Sequence, residues 1–223
     1  MLEEKLVSLK KKLVEYASLV ESMVEKSMKG LFNKEKQLLN EVIEKDEPKA
    51  NNYEIEMDEL CTNLIAQYQP KAKSLRMILM VLRMGNDLER MGDHAVNIVE
   101  SSLFLIERPN VKPMIDMPKM SETTIKMLRD SITAFIDENA ALARSVCQRD
   151  DIVDNYKDKI ILELRDVMGK DPLTIERSMH LLRITGNLER IADLSTNIAE
   201  DVMFMVEGKV IKHHKDETNG KSK

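Results

Sequence analysis

The chain has 223 residues, of which 33% are charged and only 4% aromatic, and its formal net charge at pH 7 is −5. Glycine and proline are scarce, with 7 and 6 residues, which indicates an all-α protein. The negative charge argues against a dedicated nucleic-acid binder, and no run of about 18 apolar residues is present to span a membrane. The first residues lack the apolar block of a signal peptide, and Cys61 and Cys147 have the sequence context of reduced core thiols. We therefore expect a cytoplasmic protein.

Three helices are predicted in the first half of the chain. The first spans residues 2–29 and ends near Gly30, a residue type common just after helix C-termini. The second spans residues 33–69, with Asn33 as its N-cap and a bend at Pro48. Pro70 opens the third, over residues 70–107.

Three more helices are predicted in the second half. Ser121 caps the fourth, over residues 121–136, and Asp137 or Asn139 starts the fifth, which ends near residue 169. Asp171 is an N-cap followed by proline, and it opens the sixth helix, which ends at residue 207. Short connections between long helices favour antiparallel bundles.

The predicted organisation is thus two three-helix repeats. Residues 1–108 form the first, residues 109–118 a proline-rich linker, residues 119–208 the second, and residues 209–223 a polar, disordered tail. The fold class is all-α, with two antiparallel three-helix bundles related by an internal repeat and a pseudo-twofold axis.

An ungapped repeat supports this organisation. Residues 82–100 read LRMGNDLERMGDHAVNIVE and residues 182–200 read LRITGNLERIADLSTNIAE, with nine of 19 positions identical. The identical positions include polar ones, whereas a repeat that only filled a core would keep its apolar positions and let the polar ones drift. We therefore hypothesise that the repeated polar residues have a function beyond filling the core.

On a helical wheel the repeated polar residues form one stripe, opposite an apolar arc. We expect this stripe to face outward. Glu89 and Asp93 are like charges one turn apart, as are Glu189 and Asp193, an arrangement that is mildly destabilising unless a cation is shared.

A second acidic ladder, Asp150, Asp154 and Asp158, lies on the predicted fifth helix and could meet the stripe of the sixth. The candidate metal ligands are Glu89, Asp93, Asn97, Glu100, Asp150, Asp154, Glu189, Asp193, Asn197 and Glu200. The alternative is that both ladders are the solvated faces of amphipathic helices.

The motifs DLERMGDHAVNI (residues 87–98) and NLERIADLSTNI (residues 187–198), each on the third helix of a repeat, resemble those of the PhoU family. The resemblance extends over nearly the whole chain, to about Gly208. It implies metal binding through E(D)xxxD pairs, here Glu89/Asp93 and Glu189/Asp193. It also implies a partner pair on the preceding helix, which maps to Asp150/Asp154.

Function is likewise an implication of the resemblance. PhoU-like proteins are negative regulators of the phosphate-starvation response, and look like adaptors between the ATPase of the phosphate ABC transporter and a membrane sensor histidine kinase. The expected cofactors are metal ions, either iron in a multinuclear site or another oxygen-preferring divalent cation. No catalytic activity is expected. Membrane contact is expected only through the partners, and homodimer formation is left open.

The first half departs from the family pattern. Asp46 is followed four residues later by Ala50, and Pro48 lies between them. We therefore expect the metal site of the first half to be weaker than that of the second, or to use Glu47 or Asn51.

Two other functions are alternatives for a helical protein with these residues, and each requires a histidine in a particular setting. A carboxylate-bridged di-iron enzyme needs Glu-x-x-His on two helices, and neither His94 nor His180 follows glutamate at that spacing. A helical phosphotransfer protein needs an exposed phosphoacceptor, and the wheel places His180 toward the core. For partner binding, a methionine-lined groove is an alternative to the acidic stripe.

Overall fold

The computed structural model describes residues 1–111 and 116–207, and every regular element in those ranges is helical. The α-helices are α1 (Leu2–Asn33), α2 (Lys36–Glu41), α3 (Glu47–Tyr68), α4 (Ala72–Ile106), α5 (Asp116–Ile136), α6 (Ala140–Cys147), α7 (Asp150–Lys170) and α8 (Ile175–Glu207). The predicted tail and part of the predicted linker lie outside the described residues. Within the two described ranges, no helix has the length and apolar character needed to cross a membrane.

Each half of the described chain is a three-helix bundle. In the first half α1 packs against α3 and α4, and α3 also packs against α4; in the second half α5, α7 and α8 pack on one another in the same way. The last helices of the two halves, α4 and α8, lie against each other and join the bundles. The prediction of an all-α fold with two three-helix bundles built on an internal repeat is confirmed.

The first helix is longer than predicted, because Gly30 does not end it. α1 continues to Asn33, and Lys34 takes the left-handed conformation (φ 57°) that closes the helix. Gly30 instead faces Leu39 of α2, whose Cδ2 would lie 2.5 Å from a Cβ at position 30. The glycine therefore permits close packing of two helices rather than a turn.

The predicted second helix is interrupted by one π-helical turn, Val42–Asp46, which joins α2 to α3 just before Pro48. Proline has no N–H to pair with the carbonyl of the preceding turn, and a locally widened helix accommodates such a defect. This turn buries Asp46, whose carboxylate accepts a hydrogen bond from Lys26 Nζ at 2.7 Å.

The fourth helix starts earlier than predicted. α5 begins at Asp116, inside the predicted linker, and its first turns already bury Met117 and Met120. Ser121 is therefore a buried residue of the helix interior, and its predicted role as a cap is wrong. The helix starts earlier because its first turns bury these two methionines, and such packing outweighs a local capping preference.

The predicted fifth helix is divided into α6 and α7, with the break at Gln148 and Arg149. Asn139 caps α6, its side-chain oxygen accepting a hydrogen bond from Leu142 N at 3.0 Å, so the second of the two predicted starts is confirmed. Asp171 is also a cap, but for a short 3₁₀ turn, Pro172–Thr174, that leads into α8.

Polar residues of the repeated helices cross between the two bundles. Arg183 of α8 donates hydrogen bonds to Asn97 Oδ1 at 2.6 Å and to Glu100 Oε2 at 2.8 Å, both on α4. His94 Nδ1 lies 2.8 Å from Asn187 Oδ1. The apolar arcs beside these contacts are fully buried at Leu88, Met91, Ile98, Leu188, Ile191 and Ile198.

We expect apolar burial, not the arginine contacts, to dominate the stability of this junction. Leu188→Ala should lower the free energy of unfolding by about 2–5 kcal/mol, because it leaves a cavity at a fully buried position. Arg183→Ala should lower it by less than about 1 kcal/mol, because its side chain is 46% exposed and water screens the pair. Urea unfolding of both variants checks this, and an equal loss in the two would contradict it.

Candidate metal-binding clusters

An acidic cluster forms where α7 packs against α8. We define the C-terminal cluster as Asp150, Asp154, Lys157, Glu189 and Asp193. Burial, and then repulsion from the carboxylates of Glu189, Asp150 and Asp154, raise the pKa of Asp193 to about 6. Repulsion from three carboxylates requires them to share one neighbourhood with Asp193. The structure therefore brings the two predicted acidic ladders together in the second half.

Lys157 also belongs to this cluster, although the sequence reasoning did not single it out. Its Nζ donates a hydrogen bond to Glu189 Oε1 at 2.9 Å, and the two side chains are 31% and 18% exposed. The hydrogen bond to Glu189 raises the pKa of Lys157 against the opposing effect of burial, and Asp154 and Asp158 add to the rise. The C-terminal cluster thus contains a charged ammonium group of its own.

A related cluster lies between α3 and α4. We define the N-terminal cluster as Glu54, Glu89, Asp93 and the buried Tyr16 of α1. Burial, and then the charges of Asp93 and Glu54, raise the pKa of Glu89. Like charges are therefore gathered here as well, with Glu54 as the acid contributed by the middle helix.

Tyr16 closes the inner side of the N-terminal cluster. The residue is 0% exposed, and its hydroxyl has no hydrogen-bond partner among the described residues. Burial raises the pKa of Tyr16, and the charges of Glu54, Glu89 and Asp93 raise it further. Buried polar groups usually have a hydrogen-bond partner. The described residues supply none for this hydroxyl, although three carboxylates act on it.

The burial pattern aligns the middle helices of the two bundles at an offset of 103 residues. Ala50, Met57 and Cys61 are the buried residues of α3 that match Val153, Ile160 and Leu164 of α7. At this offset Glu54 corresponds to Lys157, Asn51 to Asp154 and Glu47 to Asp150.

The sequence reasoning did not include Glu54, although its alignment of Asp46 with Asp150 places Glu54 opposite Asp158 of the acidic ladder. Asp46 is buried elsewhere, against Lys26, so it does not join the N-terminal cluster. The spacing of apolar residues along the middle helices would have given the correct alignment.

Four further predicted ligands have other surroundings, although Glu200 lies near the C-terminal cluster, since burial raises the pKa of Cys147 and both Glu200 and Asp150 add to that rise. Asn97 and Glu100 accept hydrogen bonds from Arg183 across the junction of the bundles. Asn197 is exposed, and Glu200 lies close enough to Cys147 to add to the pKa of that thiol, which burial chiefly raises to about 11.

The helical wheel predicted that the acidic stripe faces outward, and in the structure it does so only in part, since Glu100 is exposed whereas Glu200 is half-buried. Glu89, Glu189 and Asp193 are half-buried, and Asp93 alone of these four acids is exposed. The reason is that α3 packs over the polar arc of α4, and α7 packs over that of α8. Both clusters are therefore partly covered crevices between two helices, each with one exposed acid, Asp93 or Asp154.

Carboxylate oxygens are the ligands preferred by hard divalent cations. Among residues 1–111 and 116–207, no group of three or more His, Cys, Asp or Glu side chains is arranged to hold a metal ion as it stands. A cation in either crevice would therefore have to draw the acids together by changes of side-chain rotamer, and in the C-terminal cluster it would also have to compete with Lys157.

The PhoU domain family matches the chain twice, at residues 13–102 and 117–202. The chain belongs to the PhoU family. Both matches include the residues of one cluster, so the N-terminal and C-terminal clusters occupy related places in two PhoU domains.

Individual PhoU relatives are similar over nearly their whole length. A phosphate-specific transport system accessory protein PhoU homologue from Aquifex aeolicus is 36% identical over 204 residues, covering 92% of each chain. A second homologue, from Thermotoga maritima, is 32% identical and covers 97% of this chain and 92% of its own. The crystal structure of PhoU from Pseudomonas aeruginosa has a TM-score of 0.90, is 30% identical, and covers 94% of this chain and 100% of its own.

The two histidines of the repeated helices are held in other contacts. His180 stacks on Phe104 with ring centroids 4.0 Å apart, and its Nδ1 is buried without a hydrogen-bond partner among the described residues. His94 contacts Asn187 at the junction of the bundles. Burial is the chief cause that lowers the pKa of each ring. These environments favour neutral, packed imidazoles over an exposed phosphoacceptor.

Replacing Asp193 with asparagine should stabilise the metal-free protein. The pKa of Asp193 is about 6 in the fold and 3.8 in an unperturbed chain, so the ionised carboxylate opposes folding. The gain should be absent at about pH 3, grow between about pH 4 and 6, and stay near 1–2 kcal/mol above that.

Urea unfolding across this pH range, in the presence of a chelator, measures the difference. Asp166→Asn, at an exposed position of α7, is the control and should change little at any pH. A gain from Asp193→Asn that is the same at pH 3 and pH 8 would show that ionisation of Asp193 is not its cause.

Proposed function

We propose that this protein is an accessory regulator of a phosphate transport system. The observation that carries the proposal is its match to a phosphate-specific transport system accessory protein homologue, at 36% identity over 92% of both chains. That match covers too much of the chain to be confined to one bundle. A similarity limited to one helix pair would support only the fold.

We infer that the protein works as an adaptor in the cytoplasm. Its partners would be the ATPase of a phosphate ABC transporter and the cytoplasmic region of a phosphate-sensing histidine kinase, and its binding would lower the output of both. Contact with the membrane would then come through these partners. The relatives named as accessory proteins support a regulatory role without catalysis.

Metal binding is the second part of the proposal. The donor set fits a hard cation, because each crevice holds carboxylates on two helices and a neighbouring arginine, Arg90 or Arg190, relieves their repulsion only in part. Asp150, Asp154, Glu189 and Asp193 would hold the ion in the second bundle, and Glu54, Glu89 and Asp93 in the first. A bound divalent cation, iron or another oxygen-preferring metal, would supply positive charge that ties the middle helix to the last helix of each bundle.

Binding of Mn²⁺ to the chelator-treated protein should raise its melting temperature. The double variant Glu189→Gln/Asp193→Asn should lose part of that rise, and combining it with Glu89→Gln/Asp93→Asn should abolish it, since amide groups are poor substitutes for carboxylates toward a divalent cation. Calorimetry with Mn²⁺ additions measures the shift. Glu59→Gln/Glu122→Gln, at two exposed positions, is the control. An undiminished rise in the quadruple variant would show that the clusters do not bind the metal.

The adaptor role predicts direct association with both partners. Purified protein should lower the ATP hydrolysis of the transporter ATPase and the autophosphorylation of the kinase's cytoplasmic region. If charged surfaces guide the contact, association should weaken as salt rises from about 50 to 500 mM, because exposed charges are screened over about 8 Å at physiological ionic strength.

Pull-down across the salt series, with and without Mn²⁺, separates the outcomes of this experiment. Salt-independent binding would move the contact to an apolar, methionine-containing surface while keeping the adaptor role. Failure to bind or inhibit either partner in both metal states would contradict the adaptor role.

A further inference from the structure

We propose that Lys157 is a built-in counter-ion of the C-terminal cluster, so that a divalent cation fills the N-terminal cluster first and enters the C-terminal cluster only by displacing the ammonium group. This inference rests on the metal binding proposed above. It concerns the order and control of binding, which the family membership does not specify.

The first argument is a charge reversal at equivalent positions. The buried residues of α3 and α7 align at an offset of 103, which places Glu54 of the first bundle where the second has Lys157. Both positions are half-buried and face the last helix of their own bundle. The same crevice therefore presents an extra carboxylate in one copy and an ammonium group in the other.

The second argument is the contact that Lys157 makes. Its Nζ lies 2.9 Å from Glu189 Oε1, within hydrogen-bond distance of a carboxylate that would otherwise be available to a metal. Glu189 corresponds to Glu89 in the ungapped repeat, and Glu89 faces Asp93 and Glu54 instead of a lysine. A cation entering the second crevice must break this ion pair and then tolerate the ammonium group beside it. Arg90 and Arg190 are equivalent neighbours of the two crevices, but among the described residues no lysine pairs with Glu89, so entry into the first crevice breaks no such pair.

The third argument comes from Tyr16. Its hydroxyl is buried, has no hydrogen-bond partner among the described residues, and lies in the field of all three acids of the N-terminal cluster. A hydroxyl oxygen is a further donor of the kind that hard cations accept. The N-terminal cluster thus combines three carboxylates with an unused neutral oxygen, and reverses the order that the sequence pattern alone favoured.

Titration of the chelator-treated full chain with Mn²⁺ tests the proposal, with free Mn²⁺ followed by electron paramagnetic resonance. The wild-type protein should show a tighter and a weaker class of site. Glu54→Gln or Glu89→Gln should weaken the tighter class, and Glu189→Gln the weaker one. Lys157→Met, which keeps the aliphatic stem without the charge, should strengthen the weaker class by about tenfold or more.

Two companion variants keep the test independent of folding. Lys157→Gln should give the same gain as Lys157→Met, and Lys170→Met, at an exposed position of the same helix, should change neither class. Without metal, Lys157→Met should lower the melting temperature, and Mn²⁺ should restore it. A lysine with only a structural role would produce the loss of stability without the gain in affinity.

The outcomes separate this inference from the metal-binding proposal. If the weaker class depends on Glu189 but is unchanged by both Lys157 variants, the counter-ion role is wrong and metal binding stands. If the tighter class depends on Glu189 instead of Glu89, the proposed order of filling is wrong. If no variant binds Mn²⁺, both proposals fail.

Discussion

α4 and α8 are each packed on several sides, since each closes its own bundle and also lies against the other. The apolar arc of each helix is consequently buried, and a polar arc is left beside it. α3 and α7 pack along those arcs, so the acids there stand in a crevice between helices. In such a place an ionised carboxylate is less well hydrated, and repulsion between carboxylates is stronger than in bulk water because less solvent screens it. The raised pKa values of Glu89 and Asp193 both follow from this packing.

Equivalent residues of the repeat make different contacts in the two bundles. Arg183 bridges to Asn97 and Glu100, whereas Arg83, its counterpart at the 100-residue offset, pairs with Asp201 at 3.2 Å. The counterpart of Asp201 in the first repeat is Ser101, which is buried and cannot supply that charge. Identity between two copies of a motif therefore does not guarantee identical contacts, because each copy meets different neighbours where the bundles join.

The sequence was sufficient for the helical class, the duplicated architecture and the meeting of Asp150 and Asp154 with Glu189 and Asp193, because hydrophobic periodicity and repeat spacing determine these features. It was insufficient where two local preferences compete. Gly30 could end a helix or allow close packing, and only the position of Leu39 decides between them.

For a related reason, the exposure of the acidic stripe could not be predicted from the pattern of one helix alone. A helical wheel shows which residues share a face, but the exposure of Glu89 depends on where α3 packs. Glu54 and Lys157 could have been identified from the sequence, since the apolar residues that the middle helices bury align the two helices at an offset of 103.

The position of Tyr16 has an optical consequence. The chain contains no tryptophan and only four tyrosines, so tyrosine dominates its near-ultraviolet spectrum. Tyr16 and Tyr53 stack with ring centroids 5.5 Å apart and planes inclined by 11°, a rigid and asymmetric pair beside the N-terminal cluster. Changes of charge in that crevice alter the electric field at a buried phenol, while the C-terminal cluster has no equivalent stacked pair among the described residues. Near-ultraviolet circular dichroism thus provides a label-free record of events in the first bundle, without any engineered chromophore.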